Sequence, residues 1–154
     1  MSSDQSESDE LDSIDDIEQY LASLPKRFYS ILRWFVMFEA IFTACSVIVT
    51  PKFPFHIVYC LLPIAYSAYA MSNLDMETLG TQGLLHACAS VASAYWFGTT
   101  YGSDTWQINL VISCIAATQV VTSSVCFDAL VKVRKAREQM SALKGAEMVS
   151  PLVV

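Results

Sequence analysis

The chain has 154 residues, 54% of them hydrophobic and 16% charged, and its mean hydropathy is +0.42. A formal net charge of −6 argues against a polyanion-binding surface, so no nucleic-acid partner is expected. Between residues 26 and 131 charges are too sparse to clothe a water-soluble core, whereas a surface facing lipid needs no such cover.

Residues 1–25 form an acidic tail with eight Asp or Glu and no Lys or Arg, expected to be disordered to about Asp12. Ser13 and Asp16 then have the form of a capping pair, and Ile14, Ile17, Leu21 and Leu24 recur at helical spacing until Pro25. This predicts an amphipathic helix over 13–24. Its acidic neighbours would be repelled by an anionic leaflet, so the apolar face is expected to take a protein partner, membrane-embedded or cytosolic. The alternative is a loosely structured tail, because about twelve residues make a marginal helix alone. The start lacks the positive n-region of a signal peptide, so insertion is expected to use the first internal apolar helix.

Four apolar runs follow, at about 28–49, 53–71, 79–99 and 107–131, each near the ~20 helical residues that cross a bilayer. The first closes at Thr50-Pro51-Lys52-Phe53-Pro54, and Pro63 lies inside the second. Ser72 to Thr78 is a polar connection. Tyr101-Gly102-Ser103-Asp104 forms the turn before the fourth run, which stops at Lys132, Arg134, Lys135 and Arg137. Lys26 and Arg27 flank the other end of the domain, while Lys52 alone lies on the far side, so the positive-inside rule puts both termini in the cytosol. The predicted fold is all-α: a four-helix transmembrane bundle over 26–131 with short exoplasmic turns, and a basic, then mixed, cytosolic tail over 132–154. The layout is similar in topology to that of MARVEL-type membrane proteins, and no sequence motif accompanies the likeness. Span length suits the endomembrane system and the plasma membrane equally.

Polar groups inside the spans are the first candidates for function, because lipid does not satisfy them. Arg33 either snorkels to the headgroups or pairs with Asp128, which lies in the same leaflet. Glu39 is halfway along its span, with Thr43, Ser46 and Thr50 on its face, and Gln119 and His86 are its expected partners by depth. That constellation reads either as an interhelical hydrogen bond or as a proton or ion pathway. No nucleophile, base and orienting group assemble around His86 in the sequence, and His56 is too near the opposite face to be a second haem ligand. No catalytic residue, metal or cofactor is therefore expected.

Gly83, Ala87, Ser90, Ala94 and Gly98 form one face of small residues on the third span, a device for close helix approach. Asn109, Ser113, Ala117, Ser124 and Asp128 form a comparable face on the fourth. These faces are expected to pack together, and such faces also join copies of a chain, which leaves a homo-oligomer open. The five cysteines show no metal-ligand spacing, and Cys126 is a candidate for palmitoylation beside the basic flank. The carboxyl-terminal Pro151-Leu152-Val153-Val154 suits a PDZ-type groove. The function expected from these features is a non-enzymatic multi-pass membrane adaptor or accessory subunit that organises partner proteins or lipids. A small transporter or channel component using Glu39 is the alternative.

Overall fold

The computed structural model describes residues 13–49, 54–100 and 106–149. These form four α-helices and no strand: α1 (Ile14–Val49), α2 (Pro54–Asn73), α3 (Leu79–Thr100) and α4 (Trp106–Val149), which together take in 95% of the described residues. The acidic start, all but Pro54 of the turn expected at 50–54, the turn expected at 101–104, the side chain of His56 and the carboxyl-terminal valines lie outside the described residues. Two helices, α1 and α4, are long and apolar enough to cross a membrane.

Each helix packs on two neighbours in the ring order α1, α2, α3, α4, and the diagonal pairs make no close backbone contact among the described residues. The phase of this packing is written in the buried positions. On α4 one series of these is Ile112, Ile115, Gln119, Thr122, Cys126, Ala129, Val133 and Ala136, at alternating steps of three and four, with Ser123 buried beside it. Leu79, Gln82, His86, Ala89 and Ser93 follow the same rule on α3, and Tyr29, Leu32, Val36, Glu39, Thr43 and Ser46 follow it on α1. A 3.5-residue repeat keeps one seam of each helix against its neighbours over many turns.

α1 opens as its sequence predicts. The Ser13 hydroxyl bonds the Asp16 carboxylate at 2.6 Å, and the Asp16 N–H donates back to it at 3.2 Å. The helix does not end at Pro25, however, but runs through it. Proline removes a donor and crowds the carbonyl four residues earlier. Burial on both sides holds the helix together across that defect: Ile17 and Phe28 are buried, and Leu21 and Leu24 pack against the cluster that contains Val133. The apolar face predicted to receive a partner is thus covered within the chain itself. α4 likewise continues past its basic residues, because Val133 and Ala136 prolong its buried seam. Lys144 Nζ lies 3.4 Å from Glu18 Oε1, joining the two extensions.

The α2–α3 connection is built at the same end of the molecule. The N–H of Asp75 returns to the Ala70 carbonyl at 3.0 Å and that of Leu74 to Met71 at 3.4 Å, a double cap in which Leu74 takes φ 51°. The Tyr29 hydroxyl donates to the Asp75 carbonyl, and Arg137 reaches Glu77 at 4.0 Å. The turn is therefore held by α1 on one side and by the α4 extension on the other.

Candidate functional site

A set of buried polar side chains joins all four helices. Glu39 of α1 receives a hydrogen bond from Gln119 Nε2 of α4 at 3.0 Å. The Gln119 carbonyl oxygen accepts from Ser93 of α3 at 2.9 Å, which fixes the orientation of the amide, and Cys60 of α2 lies 3.8 Å from its nitrogen. His86 Nε2 lies 2.9 Å from the Ser67 hydroxyl of α2, and its Nδ1 is 3.3 Å from Glu39 Oε2. That last pair is within ion-pair distance but not aligned for a hydrogen bond, so both atoms lack a bonded partner among the described residues. Thr43 and Ser46 are buried beside Glu39, as their spacing predicts, while Thr50 lies outside the described residues.

The sequence shows no nucleophile or orienting group for His86, yet the fold supplies both. Ser67, His86 and Glu39 stand in the order hydroxyl, imidazole, carboxylate, which is the order of a hydrolase triad. Two features separate the arrangement from a working centre. Ser67, His86 and Glu39 are all 0% exposed, so an acyl substrate has no approach to them. Ser67 also sits inside α2, where backbone N–H groups are committed to carbonyls one turn back and none is left to stabilise an oxyanion. What the geometry does chemically is pair most of the buried polar groups, leaving Glu39 Oε2 and His86 Nδ1 facing each other, and it ties four helices into one register.

A second buried cluster lies nearer the end that carries the α2–α3 turn. Gln82 Nε2 donates to the Tyr29 hydroxyl at 3.2 Å and to Thr78 Oγ1 at 3.1 Å, and Cys126 Sγ lies 3.9 Å from its carbonyl oxygen. Cys126 is fully buried there, which removes it as an acylation site. Tyr29, Ser67, Gln82 and Ser93 are not singled out by sequence, although the last two occupy the seam of His86, one at four residues before and the other at seven after.

Other expected contacts are not formed. Asp128 is 64% exposed and pairs with Lys132 one turn on at 3.1 Å, while Arg33 lies exposed in a groove between α1 and α2, so the two are not brought together. The reason is azimuth: both match in depth, but each projects outward from its helix. Of the small-residue face on α3, Gly83 is buried and Ala87 and Ser90 are half-buried, whereas Ala94 and Gly98 face outward. Ser113, Ala117, Ser124 and Asp128 of α4 are also exposed, and only Asn109 is partly covered. The true seam of α3 is displaced by one residue from the predicted face. At Gly83 the prediction of close approach holds: a Cβ would meet the Phe127 ring at 3.2 Å, and the Ser123 hydroxyl donates to the Gly83 carbonyl at 2.9 Å.

Among the described residues no three metal-ligating side chains converge. No known protein family, curated protein or solved structure matches this chain.

Proposed function

We propose that the four helices form a bundle that crosses a bilayer four times, with both helical extensions and the α2–α3 turn in the cytosol. The observation that carries this reading is the inverted polarity of the helices. Glu39, Gln82, His86, Ser93 and Gln119 point inward, while Ile48, Val58, Leu62, Val91, Leu110 and Val131 lie exposed on the outside. Water would favour the reverse, and hydrocarbon favours this. The contact of Glu77 with Arg137 supports four spans rather than two: the turn lies beside residues that follow the apolar part of α4, so α2 and α3 each travel the full height of that apolar part.

Within that membrane, of the endomembrane system or the cell surface, the chain acts as a non-enzymatic adaptor or accessory subunit. Its central polar groups engage one another, so recognition falls to the outer faces and the cytosolic end, where lipids, a protein partner or a second copy of the chain would bind. The second reading, a small transporter or channel component, draws on the unaligned pair Glu39 and His86, two titratable groups at the centre of the spans. Purified protein in liposomes bearing an internal pH dye separates the two. The adaptor reading expects no proton flux above protein-free vesicles. Flux that Glu39→Gln abolishes would replace it with the transporter reading.

A further inference from the structure

We propose that the groove between α1 and α2 at the cytosolic end binds one anionic phospholipid of the inner leaflet, an inference that rests on the four-span reading. The groove encloses about 860 Å³, and its α1 wall carries Lys26, Ser30, Arg33, Trp34 and Met37. Those positions recur at helical spacing, so they share one face. The wall therefore changes character with depth: two cations and a hydroxyl occupy its first two turns, and apolar side chains follow. Lys26 and Arg33 are seven residues apart, about 10 Å along the axis, a span that brackets a phosphodiester at the headgroup level. Below them Trp34 and Met37 face Ala68 of α2, and offer a slot for an acyl chain.

Charge decides the occupant. Glu18, Glu77 and Asp128 already have basic partners in Lys144, Arg137 and Lys132. No carboxylate is among the described residues that line the groove, and neither Lys26 nor Arg33 has an ion pair among the described residues. Two uncompensated cations at the headgroup boundary draw their counter-charge from the leaflet, and a lipid with net negative charge supplies it, whereas the phosphate of a zwitterionic lipid is already balanced within its own headgroup. The mixed lining adds selectivity for a lipid over a soluble anion, because the apolar part of the slot is filled only by a molecule that carries both a phosphate and a chain.

The full-length chain, equilibrated in micelles with equal amounts of phosphatidylserine and phosphatidylcholine and then repurified, has its retained lipid measured by mass spectrometry. Phosphatidylserine is expected in excess by roughly 25-fold, near one per chain, since each of the two cations favours an anionic lipid by roughly fivefold. Lys26→Gln with Arg33→Gln should bring the ratio close to one. Ala68→Trp, which fills the slot without changing charge, should lower it as well. Arg134→Gln with Lys135→Gln removes the same charge elsewhere on the cytosolic side and should leave the ratio unchanged. Equal retention of the two lipids by the native chain, or an equal loss in that control, overturns the site. Failure of the reconstituted chain to float with liposomes on a density gradient overturns the four-span reading instead.

Discussion

Glu39 and Gln119 stand 80 residues apart in the chain and 3.0 Å apart in space, joined by a hydrogen bond that links the first helix to the last. Removing one partner strands the other in the interior, which typically costs about 1–3 kcal/mol, whereas replacing both by apolar groups is close to neutral. Gln119→Leu should therefore destabilise the protein by roughly 2 kcal/mol, and adding Glu39→Leu should recover part of that loss, the Ser93 hydroxyl remaining without its acceptor. Unfolding equilibria in detergent micelles would measure the cycle. Strictly additive losses would mean that the two side chains do not depend on each other.

The seam of α3 makes a steric prediction. Ala89 is buried and Ala94 is exposed, although the two are equal in size. Ala89→Leu should overpack the interior and cost about 1–3 kcal/mol, while Ala94→Leu should be tolerated. Gly83→Leu should be damaging because the Phe127 ring already stands where the side chain would go, and Gly98→Leu should be mild because nothing lies within 4 Å of its Cβ position. Equal effects at Ala89 and Ala94 would mean the helix is rotated from the phase described.

For the charged pair, Asp128→Asn should lower stability by less than about 1 kcal/mol, because its contact with Lys132 is largely exposed. Exchanging the charges at Arg33 and Asp128 should show no rescue. Recovery of folded yield in that double exchange would indicate that the two side chains meet after all.

The extensions can be tested apart from the spans. Cysteines placed at Glu18 and Lys144, whose side chains now meet at 3.4 Å, should crosslink readily with a short bifunctional reagent. Ile17→Asp puts a charge into a fully buried site and should abolish that crosslink while leaving the packing around Glu39 and Gln119 intact. Persistence of the crosslink in Ile17→Asp would show that the extensions are held by something other than this seam.

Depth along a span is legible, because residues can be counted from the flanking charges. Glu39, His86 and Gln119 match in depth by that count, and the structure places them side by side. Azimuth is harder. Arg33 and Asp128 share a depth but not a direction, and the small residues of α3 pointed one position away from the seam that Gln82, His86 and Ser93 follow. Size alone misleads because a lipid-facing alanine is tolerated, whereas a lipid-facing glutamine is not. Polar residues at three-and-four spacing were the better guide to the inside, and on α4 the run Gln119, Thr122, Cys126 carries it. Pro25 misleads for another reason: its local helix-breaking tendency is outweighed by packing between segments more than a hundred residues apart.

Whether α2 and α3 cross the membrane separates four spans from two. A single cysteine at Glu77, which is 82% exposed in the α2–α3 turn, decides it when an impermeant thiol reagent is applied to intact and to permeabilised cells. A cysteine at Ser141 in the α4 extension marks the cytosolic side, and the native chain measures background labelling. With four spans, both positions are protected in intact cells and react only after permeabilisation. If α1 and α4 alone cross, the turn is left on the outer face, and Glu77→Cys would label in intact cells while Ser141→Cys stays protected.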